Sequence, residues 1–533
     1  MNFFINSLFL IIFVVIHSLC IAQSNTVGLL YIDDNATEGY TLFSPEENEN
    51  VYLIDDCGAL INSWTFSEKP GKASYLLANG NLLRAGLDSL EIRGWDNSLM
   101  WSYAMTANGL NQHHDIEPLP NGNILCIVAD VYTALEMTQE GRNPAITNPN
   151  FKLDKIVEIE PVGNSEANVV WEWRFIDHIV QDFDNSKPNY GIVQNNPQLM
   201  NINYDNGYYQ DWIHLNGIDY NASLDQIILS SRHLDELYII DHSTTTAEAS
   251  GHTGGAYNKG GDFLWRWGNP QVYSQGNAND QKLFKQHNGE WVKAGYSDEG
   301  KITVFNNYGD GSGTYSSIHL IAPEINNNNY TMDGNLFLPL DFHWSWNGSI
   351  LGDLVSESKK SATHGLPNGN FIICETSAGR ISEIQPDGTL MWCYVNPSAA
   401  TTIHNQFDVV SENSIFKADK YPSDFLGFLG QDMSPGGIIE NQNSVSDSCM
   451  NTTSLESNKS NPLIIVNPSM DGFIRFRDIQ YYNSIIVTDL LGKIVYNVQE
   501  FYGDRLPIQL SPGNYIIRLS SIQGIKNKKI TVR

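Results

Sequence analysis

IEPLPNGNILCIV, residues 116–128, is a short apolar strand, a turn on Asn-Gly and a second apolar strand. Asn-Gly readily takes the left-handed conformations of a tight connection, so the stretch reads as a β-hairpin. The phrase recurs as YLLANGNLL at 75–83 and HGLPNGNFIICE at 364–375. Apolar runs such as KIVEIEP (155–161), ELYIIDH (236–242) and RISEIQPDG (380–388) follow, and a tryptophan strand closes each unit. The closing strands surround Trp64, Trp101, Trp171, Trp265, Trp344 and Trp392. Such a repeat, almost without helical periodicity, predicts an all-β chain folded as a six-bladed β-propeller over 23–445. A series of sandwiches is the competing all-β reading, disfavoured by the even recurrence of the tryptophan strands.

The first unit, VYLIDDCGALINSWTF, holds only the last two strands of a blade. TTIHNQFDVV and NSIFKADKY, within 401–421, are expected to supply the other two and so remove an open sheet edge. Residues 446–460 are polar, without apolar period, and read as a linker. Residues 461–533 are short alternating strands between glycine turns, basic where the rest is acidic, and read as a small β-sandwich. Their Asn-Pro opening, D-L-L-G-K hairpin, L-x-P-G-x-Y-I-I strand and lysine-rich end resemble the type A sorting domain of the type IX secretion system. That resemblance implies secretion machinery as a partner and release or attachment at the surface of a Gram-negative cell.

The first 22 residues, an apolar stretch ending Cys20-Ile21-Ala22, read as a secretory signal peptide, with a membrane anchor as the alternative. Cys57, Cys126, Cys374, Cys393 and Cys449 are scattered and odd in number. They indicate neither a disulfide framework nor a zinc site. A net charge of −29 argues against nucleic acid or an anionic membrane as a partner, which makes each cation in a cavity informative.

Histidine recurs near the starts of the inner strands: His113, His114, His214, His287, His364 and His404. Inner strands of a propeller run the same way, so their first residues ring one mouth of the channel. Arg232 ends the strand returning from His214 and should reach the same mouth. Counting back from LPNGN, His364 sits three places later than His114 and is expected deeper or turned away. No carboxylate recurs at these positions, which disfavours a glycosidase. Histidines without one leave a metal site open, while arginine and asparagine beside them suit a tetrahedral oxyanion. A neutral histidine is also a competent nucleophile.

At these residues the chain resembles the bacterial arylsulfotransferases that need no nucleotide sulfate donor. DWIHLNGIDY…IILSSRH, QHNGEWV…GKITVFNNYGDG and HHDIEPLPNGNIL carry the resemblance, over roughly residues 28 to 421. It implies a six-bladed propeller that moves a sulfuryl group from a phenolic sulfate ester to a phenol through a sulfohistidine, with no cofactor and no metal. It implies His287 as nucleophile, with sulfate held by His214, Asn216, Arg232 and His114, or His113 if the register slips. His364, His404 and Arg380 form a second tier. Tyr208, Tyr209, Trp212 and Trp291 either wall a ring pocket or pack between blades. Phe305-Asn306-Asn307-Tyr308 stands where the family has Phe-Asp-Asn-Gly, so a local carboxylate is missing. The alternatives are a non-catalytic surface propeller that binds sulfated glycans or other anions, a metal-dependent hydrolase, and a sulfatase.

Overall fold

A computed structural model describes residues 25–441, Cys449 and strands between 465 and 532. The signal sequence expected over 1–22 and, apart from Cys449, the linker expected over 446–460 lie outside the described residues. No described helix is long and apolar enough to cross a membrane.

The chain is nearly all β, arranged as a β-propeller. Six antiparallel sheets carry the body of the fold. Their inner strands are Pro70–Leu76, Gln112–Pro118, Leu215–Asn221, His287–Trp291, Ala362–Gly365 and Ile415–Pro422. Each inner strand lies beside the next, and Ile415–Pro422 returns to Pro70–Leu76, so the circuit closes.

The recurring tryptophans explain how neighbouring sheets hold together. Each lies on the fourth strand of its sheet, and its indole N–H donates into the following unit, mostly to its connecting loops. Trp64 donates to the Gly94 carbonyl, Trp101 to Glu166, Trp171 to the Thr244 hydroxyl, Trp265 to Leu338 and Trp344 to Pro386. Trp392 donates at 2.7 Å to Asp56, back in the first sheet. A buried indole must pair its N–H, and only this side chain combines that donor with so large an apolar face. Each bond adds about 0.5–1.5 kcal/mol to the burial.

Closure differs from the expected two-plus-two arrangement. The first sheet runs Ile415–Pro422, Gly39–Pro45, Asn50–Asp55, Leu60–Thr65, so the late chain supplies one strand and the early chain three. GYTLFSP, which lacks polar–apolar alternation, was the strand to find: nearly all of it is buried because both its faces are packed, Leu42 into one core cluster and Phe43 into another. TTIHNQFDVV is a loop instead. Gly28–Ile32 adds a fifth strand outside Leu390–Val395. The cysteine reading is also corrected: Cys57 and Cys449 form a disulfide across 392 residues, while Cys126, Cys374 and Cys393 are buried thiols. Near the carboxyl end the described strands form one antiparallel sheet.

Candidate active site

The inner strands are irregular at their starts. Register breaks between Pro70 and Ser74, opposite Cys126–Val128, between Leu215 and Gly217, and between His287 and Glu290. Lys72, His114, His214, Asn288 and Ser361 there take positive φ of 118°, 59°, 53°, 53° and 74°. Left-handed non-glycine residues cost about 1–3 kcal/mol each and persist where surrounding structure enforces them. Bulges at a strand end turn a side chain out of the alternating pattern, which brings side chains from different sheets to one mouth.

Two neighbouring sheets supply one imidazole cluster there. The ring of His114 lies 4.8 Å from that of His214, which lies 4.5 Å from His233. His113 Nδ1 is 2.8 Å from His114 Nδ1, and its Nε2 is 2.9 Å from Asp154 Oδ1. His214 Nδ1 donates to Asp211 Oδ2 at 2.5 Å, and His233 Nδ1 to the Asp211 carbonyl at 2.6 Å. Both carboxylates work against burial: His113 and Lys152 hold Asp154 low, and His214 and Lys152 hold Asp211 low. His114 is held well below the ordinary imidazole range by burial and by the neighbouring histidines. It is therefore neutral until an anion arrives to favour its protonated form.

His287 opens the next inner strand and is 2% exposed. Its Nδ1 donates to Asn307 Oδ1 at 2.7 Å, and the Asn307 amide in turn donates to the carbonyls of Glu357 and Lys360. That bond sets the tautomer, leaving the lone pair on Nε2. Burial, with the charges of Arg232 and His214, brings the group down to about 3, so this lone pair is free of a proton at neutral pH. In this state it accepts the Lys360 N–H at 3.1 Å. The segment 356–361 therefore covers His287, and attack by Nε2 requires that single bond to open.

Arg232 follows directly on the strand that pairs with His214, and its N–H donates to the His214 carbonyl. Its guanidinium makes no ion pair among the described residues; Nη2 reaches only the Ser358 carbonyl at 3.4 Å. Lys72 and Lys360 approach the same mouth and share Glu46. Asn216 is buried, and its amide donates at 2.7 Å to the Gln286 carbonyl, bracing the strand that carries His287.

The second tier is not gathered here. His364 lies deeper, its Nε2 accepting the Lys420 N–H at 3.4 Å, within the field of Asp419 and Glu290. His404 sits in the 401–414 loop, against the Ser411 carbonyl, because that stretch is not an inner strand. Arg380 is committed to Glu375 and Asp353. Of the aromatics, Trp212 and Trp291 are packed into the core. Tyr208 stacks on His233 at 3.6 Å, at the mouth, and Tyr209 is exposed.

Carboxylates are more prominent than the sequence pattern implied. Besides Asp154 and Asp211, the inner strands carry Asp115, Glu117, Asp219, Glu290 and Asp419. Tyr75 donates to Asp115, and Lys417 Nζ stands 3.4 Å from Glu290. Burial, with Glu290 next, pushes Asp219 up to about 7. Asp115 and Glu117 alternate along DIEP, and Asp219, Glu290 and Asp419 stand singly on three other inner strands, so they read as ordinary strand polar residues. His233, Asp211 and Asn307 were given no role although each lies inside a quoted motif. Asn307 in particular stood beside the expected carboxylate position, which Asn306 fills by tying its own loop through Phe284 and Gly309.

A family model described as Arylsulfotransferase (ASST) matches residues 33–331, more than half of the chain. No curated protein is matched. Among solved structures, the chain is similar to a protein of unknown function from Bacteroides caccae, at 11% identity over 67% of this chain and 93% of that one, with a TM-score of 0.38. It is similar to a streptogramin B lyase at 11% identity, over 76% and 96% of the two chains, with a TM-score of 0.34. A virginiamycin B lyase from Staphylococcus aureus gives 10% identity over 71% and 86%, with a TM-score of 0.34.

Proposed function

Because this chain belongs to the arylsulfotransferase family, we propose that it moves a sulfuryl group between phenols with His287 as the covalent carrier. The observation that carries the reading is a neutral imidazole, its Nδ1–H fixed on Asn307, beside an arginine without a carboxylate partner. Nε2 forms the N–S bond as the S–O bond to the aryl group breaks, and the phenoxide leaves. A second phenol, losing its proton, then attacks sulfur and breaks the N–S bond. Phenoxides are weak bases, so the leaving group needs little help. Arg232, His214 and His114, with His113 behind it, donate to the sulfuryl oxygens, where positioning and electrostatics do most of the work. Asn216 acts by holding Gln286, next to the nucleophile.

Lifting the Lys360 N–H from Nε2 costs about 0.5–1.5 kcal/mol, small beside a transfer barrier. The same N–H is then placed to donate to a sulfuryl oxygen. The reading extends to an exported protein addressed by residues 461–533, on the strength of the sequence motifs alone.

The test is a chromogenic aryl sulfate supplied with and without phenol, with EDTA present and no nucleotide cofactor. Chromophore release that accelerates with phenol and yields phenyl sulfate is expected. Release indifferent to phenol identifies a sulfatase. Asp211, His214 and His233 offer ligand atoms close enough to hold a metal ion, and this favours the hydrolase alternative. Loss of all release in EDTA would uphold that alternative over the transferase.

The pH profile tests the tautomer. With His287 at about 3, Nε2 is unprotonated from about pH 5 to pH 8, and kcat/KM shows no acid limb from this group there. Asn307→Asp places a carboxylate on Nδ1–H, stabilises imidazolium and raises that pKa by about 1–3 units. Protonated Nε2 has no lone pair, so activity near pH 5 falls relative to pH 8 in the variant. An unchanged profile would remove Asn307 from the role of positioning His287.

A further inference from the structure

We propose that His178, His252 and Asp262 form a binding site for a divalent transition ion of the zinc class, away from the channel histidines. His178 ends the short turn Phe175–His178, which follows the tryptophan strand Glu166–Arg174. His252 and Asp262 lie in the connection between Glu236–Asp241 and Trp265–Trp267 of the next sheet. The ligands thus come from two neighbouring sheets.

Asp262 Oδ1 stands 2.9 Å from His178 Nδ1 and 2.7 Å from His252 Nδ1, and all three atoms lie within 4.8 Å of one another. The other nitrogen of His178 decides what this means. Nε2 is 2.8 Å from the Ala249 carbonyl, which can only accept, so Nε2 carries the hydrogen. With that hydrogen on Nε2, a singly protonated ring would point its Nδ1 lone pair at a carboxylate lone pair. A cation between them resolves the conflict. An imidazole held by a backbone carbonyl on its far nitrogen is also the usual outer support of a metal-binding histidine.

The site is built in advance. The His178 ring is fully buried and lies parallel to Trp173, with centroids 5.4 Å apart. Trp173 in turn donates to the Gly261 carbonyl at 2.7 Å. A Cβ on Gly261 would stand 2.5 Å from His178 Nε2 and 2.1 Å from the Ala249 oxygen, so only glycine permits this approach. The side chain of His252 is 58% exposed, which leaves one side of the ion to solvent. Two imidazoles, one carboxylate and a water complete a four-coordinate zinc site. Zinc there would pin the glycine-rich 251–261 loop to the neighbouring sheet. The His252 proton moves to Nε2 as Nδ1 takes the metal.

The test uses the full chain, stripped with EDTA, reloaded with zinc and freed of excess. Metal content and thermal midpoint are then read for wild type, His252→Ala and His214→Ala. His252 is exposed, so its removal leaves the fold intact, and His214→Ala discounts ions held at the channel mouth. The expected result is a zinc equivalent present in wild type and in His214→Ala but lost in His252→Ala. Zinc should raise the midpoint only where it is retained, as binding to the native state requires. Equal zinc in wild type and His252→Ala would overturn the proposal. So would wild type without stoichiometric zinc, which would mean that a proton on His178 holds the pair as a simple ion pair.

Discussion

His287→Asn is expected to lower kcat by about 10⁴-fold or more, since removing a nucleophile removes the covalent route. The replacement amide can still donate to Asn307 Oδ1, and the site lies at a strand start already braced by Asn216 and Asn307. The loss of stability is therefore expected at about 1–2 kcal/mol, visible as a small shift in the thermal midpoint. A sulfur-labelled donor should leave label on the wild-type chain when acceptor is withheld, and none on the variant. Full turnover by a folded His287→Asn protein would reduce His287 to a ligand contact.

Arg232→Ala is expected to lower kcat/KM by about 10²–10³-fold, the usual loss when one donor to a developing oxyanion is removed. Arg266 and Arg380 have carboxylates in hydrogen-bond contact, whereas Arg232 has a single long bond to a carbonyl. Its charge is therefore available to an incoming anion. Arg232→Lys keeps the charge but not the planar fork of donors, and an intermediate loss of about tenfold is expected. Inhibition by free sulfate should weaken in the same order. If Arg232→Ala leaves kcat/KM unchanged, the guanidinium serves only to seat the 356–361 segment through Ser358.

Much of this was legible in the chain itself, for a local reason. Asn-Gly can be read because the turn needs one residue at positive φ, which glycine takes without cost: Gly80, Gly122 and Gly369 stand at 84°, 92° and 88°. The tryptophan strands can be read because an indole stands at each sheet junction, buried at five of the six and half-buried at Trp344. The grouping of His114, His214 and His287 follows from strand direction alone, once inner strands are recognised. His404 failed that inference because its segment carries the polar run SENS and forms no strand.

The tertiary structure alone decided who partners whom. Asp154 reaches His113 across 41 residues, Asn307 reaches His287 across 20, and Lys360 meets Glu46 across 314. Arg380 looks as free as Arg232 in the sequence, yet it is neutralised by Glu375 and Asp353. The sequence determined that the chain closes into a ring of β-sheets with histidines at one mouth, because turns, strands and sheet junctions depend on neighbouring residues. Only the folded ring decided that closure takes one late strand and three early ones, and which imidazole keeps a free lone pair. Those outcomes depend on which strands pair and in what register, and a slip of one residue would turn every side chain of a strand to the other face.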